Sequence, residues 1–229
     1  MANEIISYYE MCQREGTSLQ RGMNYDFGKG HSVILMSVRQ NAPYRDRFEG
    51  DGSTLIYEGH DVPRSPETHD PKKFNQQAHT YSGKPTQNGF FFRAAEEYKS
   101  GKRSPQRVRV YEKLKSGIWS YNGVFHLVDA WKENDSQRCV FKFKLVAIES
   151  DEDFNKPPML NPQRRRIIPT HVKLEVWKRD NGRCVMCGAT DELHFDHILP
   201  FSKGGTSLTS ENVQLLCARH NLEKHNRIL

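Results

Sequence analysis

The chain of 229 residues has no run of about eighteen apolar residues, so no transmembrane helix is expected. Its start, Met1-Ala-Asn-Glu-Ile-Ile-Ser-Tyr-Tyr-Glu10, lacks the basic n-region and apolar core of a signal peptide. Cysteine is scarce. Of five, three stand in metal-ligand spacing, which fits a reducing cytosol and a cytoplasmic protein. The other two, Cys12 and Cys139, are expected as ordinary buried or half-buried thiols. No internal repeat is present. The length allows one large domain or two ordinary ones, and 36% hydrophobic with 27% charged residues describes a globular but polar chain.

An excess of charge of one sign is also missing from the first half. Residues 1 to 100 hold slightly more acids than bases. The net charge of +6 therefore comes from Lys102, Arg103, Arg107, Arg109, Lys113 and Lys115, and later from Arg164, Arg165 and Arg166. Positive charge concentrated in this way suits a polyanion, although a basic run is more often a solvated face.

The densest chemistry lies near the end. Cys184-Val-Met-Cys187 and Cys217-Ala-Arg-His220 supply four ligands of the softness and spacing of a tetrahedral zinc site. Inside that clip stand Asp196 and His197, and Asn221 follows the last ligand directly. An oxygen-rich metal site beside a lone histidine base suits phosphodiester hydrolysis. The bland alternative is a purely structural zinc unit. Upstream, Val172, Val176 and Trp177 form a short helical stripe with Leu174 off it, and Thr170 fits the N-cap.

These residues resemble the HNH (ββα-metal) endonucleases, from about Pro169 to Leu229. The resemblance implies that His197 is the general base activating water and that Asn212 braces the loop behind it. It further implies that Asp196 and Asn221 hold a catalytic Mg²⁺ or Mn²⁺. His225 stands four residues after Asn221, so on a helix both would face the same way, and the resemblance implies a further metal ligand at that spacing. His194, two residues before Asp196 on a strand, reads as an exposed or supporting residue.

Along the rest of the chain, residues 1–22 read as a helical lead-in, with Ile5, Ile6, Tyr9 and Cys12 at helical spacing and Gly16 ending it. Strand-like runs cover His31–Val38, Leu55–Tyr57, Gln106–Tyr111, Gly123–Val128 and Arg138–Val146. The last places Phe141, Phe143 and Leu145 on one face and Lys142 and Lys144 on the other. Phe91–Lys99 is a candidate helix. Many short strands with few helices predict a small β-barrel-like domain over 23–148. Residues 149–168, acidic, then proline-rich, then Arg164, Arg165 and Arg166, read as a semi-rigid linker to a domain over 169–229.

The stretches Tyr25-Asp-Phe-Gly-Lys-Gly-His31, Tyr57-Glu-Gly-His-Asp61, Val108-Arg-Val-Tyr111 and Gly117-Ile-Trp-Ser-Tyr-Asn-Gly123 occur in an order that is similar to SRA (SET- and RING-associated) domains. The fold class implied is α+β, a PUA-like SRA barrel followed by a zinc-clipped ββα-metal unit. The resemblance implies binding of double-stranded DNA containing 5-methylcytosine or 5-hydroxymethylcytosine, with the base flipped into a pocket. Such a base needs aromatic faces and a partner for its Watson–Crick edge. By position, Tyr44 and Tyr57 look like the stacking pair, and Asp46 like the acceptor for the cytosine amino group. The bland readings are a core tyrosine, loop packing and an ion pair with Arg45 or Arg47.

Together these features predict a modification-dependent endonuclease with structural zinc, a catalytic divalent ion and no membrane. A double-strand break by a one-strand cutter implies a homodimer. Two other readings stay open: a reader of modified DNA that does not cut, and a nuclease indifferent to modification.

Overall fold

The computed structural model describes residues 3–26, 28–49, 52–135, 137–148 and 167–228. Among them the elements run β1 (Glu4–Ser7), α1 (Tyr8–Glu15), β2 (Met23–Asn24), β3 (Ser32–Met36), β4 (Arg47–Glu49) and β5 (Thr54–Glu58). Next come α2 (Gln87–Lys99), β6 (Gln106–Lys115), β7 (Ile118–Asp135) and β8 (Arg138–Ala147). The chain ends with α3 (Thr170–Arg179), β9 (Leu193–His197), β10 (Val213–Cys217) and α4 (Ala218–Lys224).

Local chemistry sets the element ends. Ser7 and Glu10 form a capping box at the start of α1, and Gly16 closes it in the left-handed conformation that glycine adopts cheaply. Thr86 caps α2 by accepting from the Gly89 amide at 3.2 Å. Gly89 itself is pressed on Ala78, where a side-chain carbon would stand 2.1 Å from a carbonyl oxygen. The alternation in β8 puts Phe141, Phe143 and Leu145 in the core. There Phe91 and Phe92 of α2 meet Phe143 and Phe141 edge-on, at 5.8 and 5.5 Å. Each such ring contributes roughly 1.5–3 kcal/mol by leaving water.

The strands form one branched sheet. The path β10-β9-β1-β7-β6-β3-β2 is hydrogen-bonded throughout, and β8, β5 and β4 branch from it at β7, further along the edge that β1 uses. The sheet curls around α2 and a core that draws on β3, β5, β6, β7 and β8. Among the described residues no ladder joins β3 to β5. Side chains bridge that seam instead: Asp46 accepts from the Ser37 and Glu58 amides, each at 3.1 Å.

Two features differ from the sequence reading. Ile5 and Ile6 lie in strand β1, and the helix begins only at Tyr8, because β1 pairs with β7 and β9 and that pairing outweighs a short local periodicity. The cap of α3 is Pro169; Thr170 is its first residue, and its hydroxyl is hydrogen-bonded to Glu112 instead. Lys142 stands on the face of β8 opposite Phe141 and Phe143, as read, and is buried there against Glu58 at 2.8 Å. Residues 149–166, most of the expected linker with Arg164, Arg165 and Arg166, lie outside the described residues. Ile167 and Ile168, at the linker's end, are buried in the two main cores.

Candidate functional site

The four predicted zinc ligands converge. Cys184, Cys187, Cys217 and His220 place their ligand atoms within 4.8 Å of one another. His220 Nδ1 stands 3.4 Å from Cys184 Sγ and 3.3 Å from Cys217 Sγ, and Cys187 Sγ is 3.9 Å from Cys217 Sγ. Around tetrahedral zinc, sulfur–sulfur and sulfur–nitrogen edges are about 3.8 and 3.5 Å, so the donor set fits that ion. Burial pushes the Cys184 thiol up. Hydrogen bonds from the Cys217, Met186 and Cys187 backbone and from His220 more than offset this and bring it to about 6, toward the thiolate a metal needs.

β9 and β10 form an antiparallel pair in which Asp196 faces Gln214 and His197 faces Val213. Asp196 Oδ2 accepts from Gln214 Nε2 at 3.3 Å and from Lys224 Nζ at 3.0 Å. Its Oδ1 and the side-chain amide of Asn221, on α4, have no hydrogen-bond partner among the described residues, so both are available to a hard cation. His197 Nε2 is 2.7 Å from Ser207 Oγ. Asn212 ties the β9–β10 loop together: Oδ1 accepts from the Leu199 amide at 2.8 Å, and Nδ2 donates to Leu199 O at 3.2 Å and Thr206 O at 2.8 Å. His225 is placed differently from expectation. The helix α4 ends at Lys224, and His225 follows it, exposed and with φ of 44°. The shared helical face with Asn221 therefore does not extend to it. His194 is buried where β9 meets β1 and β10.

The second site occupies the seam between β3 and β5. A cavity of about 560 Å³ is lined by Tyr44, Asp46 and Tyr57 together with Leu35, Ser37 and Arg39, and it runs on to Tyr8, Lys113 and Trp119. Burial drives Asp46 up to about 7, and its two amide hydrogen bonds only partly offset this. Burial likewise lowers His60 to about 4, so a neutral imidazole packs against Tyr44 at 5.8 Å. Burial holds the Tyr57 hydroxyl neutral, 3.5 Å from Leu35 O.

A protein-family model described as "HNH endonuclease" matches residues 184–227. That match covers the zinc ligands, Asp196, His197, Asn212 and Asn221 in one piece. This segment is an HNH endonuclease unit. No curated protein matches the chain. Among solved structures, the modification-dependent restriction endonuclease TagI is similar over 99% of this chain and 78% of that one, at 22% identity and a TM-score of 0.44. The SRA domain of SUVH5 with hemimethylated CG DNA is similar over 63% of this chain and 86% of that one, at 24% identity and 0.42. The same domain with fully hydroxymethylated CG DNA covers 67% and 89%, at 23% and 0.43.

Sequence reasoning missed residues around both sites. In the HNH unit, Lys224 is 1% exposed, and its ammonium bonds His197 O at 2.6 Å as well as Asp196. A lysine in the last turn of a helix reads as a solvated cap, so nothing marked it. Ser207 lies in a Gly-Thr-Ser loop without periodicity. Beside the pocket, Lys72 caps the Tyr44 ring at 4.1 Å. Buried Arg138 joins Glu58 and Asp61 at 3.3 and 2.6 Å. Two residues of the basic run are also engaged internally: Arg109 with buried Glu15, Arg103 with Tyr25 and Gln106.

Proposed function

We propose that the chain is a modification-dependent DNA endonuclease that holds a flipped, C5-modified cytosine in the Tyr44–Asp46–Tyr57 cavity and cuts a phosphodiester with the HNH unit. The observation that carries the cutting half is the juxtaposition of Asp196 and His197 at the end of β9, above a loop braced by Asn212. The reading half is supported by a buried carboxylate facing a cavity whose walls include two tyrosines. With Asp46 poised near neutrality, one oxygen accepts the cytosine N4 hydrogen.

In the cutting step, His197 takes a proton from water as the water oxygen bonds to phosphorus and the bond to the 3′ oxygen breaks. Ser207 fixes the imidazole. Asp196 and Asn221 would hold Mg²⁺ or Mn²⁺, which supplies charge stabilisation for the phosphorane and the leaving oxygen. The products are then 5′-phosphate and 3′-hydroxyl ends. Zinc is the structural ion of the Cys3His clip. Cutting both strands calls for two such units, and a homodimer in the cytoplasm provides them.

A matched digestion tests this. One plasmid, plain or carrying 5-methylcytosine or 5-hydroxymethylcytosine, is incubated with Mg²⁺ or Mn²⁺ and with wild-type protein or His197→Ala. Cutting of modified DNA alone, lost in the variant, is expected. Equal cutting of every substrate would remove the base-reading half, and tight binding without any cutting would remove the nuclease half.

A further inference from the structure

We infer that the HNH unit is docked on the base pocket as one rigid body, so that the scissile bond lies at a fixed offset from the modified base; this rests on the function proposed above. A chain that reads as barrel, linker and nuclease leads one to expect relative motion and scattered cuts. Contacts apart from residues 149–166 point the other way. Strand β1 is paired on one side with β7, from Glu4–Tyr121 to Ser7–Ile118, and on the other with β9 at Glu4–His194. Asn3 extends both seams, donating to Tyr121 O at 2.7 Å and accepting from the Phe195 amide at 3.0 Å. One sheet thus runs without a break from the barrel into the nuclease.

The packing is equally continuous. Leu114 and Ile118 of the β6–β7 hairpin and Ile5 of β1 share a single core with Val172, Val176, Leu193 and Phe195. Under it lies a polar lock. Glu112 and Lys173, both 0% exposed, pair at 2.8 Å. Asn122 closes the triangle at 3.0 Å to Glu112 and 2.6 Å to Lys173. A buried pair whose partners sit on different elements is costly to separate, since parting them leaves each charge without its counterion. The same hairpin also builds the pocket: Lys113, Gly117 and Trp119 line it, while Lys115 lies over Trp177 of α3 at 4.9 Å. Neighbouring residues of one short hairpin therefore face the base on one side and hold the nuclease on the other. Glu112 and Lys173 are positioning residues for the cut site.

The test uses duplexes with a single 5-methylcytosine and sequencing of the cut ends. Wild-type ends should fall within one nucleotide of a single offset on each strand. Ends spread over many positions would overturn the inference. Lys173→Ala should broaden the distribution several-fold while affinity for the same duplex stays within about two-fold. An unchanged distribution in that variant would count against the lock. Because Lys173→Ala can also fail to fold, a second arm places a specific protease site within 149–166 of the full chain. After cleavage the two pieces should co-elute and keep the offset; separation of the pieces overturns the coupling. Equal cutting of plain and methylated duplexes would instead remove the base-reading function, and the co-elution arm would still decide the coupling.

Discussion

Asp46 and Lys224 show how single buried charges set both sites. Asp46 has a folded pKa near 7 against an ordinary value of 3.8, raised by burial. The folded state therefore holds a proton that the unfolded state has lost between those values. Its stability contribution is fully present below 3.8 and declines by up to about 1.4 kcal/mol per pH unit as pH rises towards 7, then levels off. Denaturant melts of wild type and Asp46→Asn should show their difference moving in favour of the variant from pH 5 to 7 and flat above 8. A constant difference across that range would mean Asp46 is ionised throughout. Lys224 acts in the HNH unit, where its ammonium fixes Asp196 Oδ2 and the His197 carbonyl and leaves Asp196 Oδ1 for the cation of the proposed function. Supporting partners of metal ligands typically affect activity by about 10–100-fold. Lys224→Met should lower kcat by that order with zinc content unchanged; activity within two-fold of wild type would assign Lys224 to packing alone.

At the scale of elements, the sequence was most legible where spacing is chemically forced. The Cys-x-x-Cys and Cys-x-x-His pairs met as their spacing required, and β8 alternated as read. Strands β3, β5, β6, β7 and β8 all stand where their apolar and β-branched runs lie, though β6 and β7 extend beyond them. Errors occurred where a distant partner decides the local structure. Ile5-Ile6 reads equally as one turn of helix or a short strand, and only pairing with β7 and β9 selects the strand. His225 was tied to Asn221 by an i+4 rule that needs one more helical residue than α4 has. Thr170 gave up its cap role because Glu112, fifty-eight positions earlier, takes its hydroxyl. The ion pairs of Lys142, Lys173 and Lys224 were invisible for a shared reason. A lysine in a polar chain reads as solvated, and the carboxylates that bury these three lie 84, 61 and 28 residues away in sequence.

For the whole molecule the decisive element is the four-residue strand β1, which joins the barrel strand β7 to the nuclease strand β9. It is interior to the sheet, hydrogen-bonded to β7 on one edge and to β9 on the other, so its loss exposes two edges at once. Each backbone hydrogen bond there contributes about 0.5–1.5 kcal/mol net, and Ile6 is buried as well. The HNH residues named above all come from the last quarter of the chain, yet part of their supporting core comes from Ile5, Leu114 and Ile118. A chain whose nuclease core is built partly from the barrel's β1 and β6–β7 hairpin should unfold in one calorimetric transition, despite reading as two domains. Removing residues 1–7 should split that transition in two. The lower one belongs to the nuclease, since β9 then keeps only β10 as a neighbour, and cutting should fall with it while binding to methylated duplex survives. If the truncated chain melts in the same single transition and cuts as before, β1 is a bystander, and the Glu112–Lys173 pair with the hairpin core holds the nuclease alone.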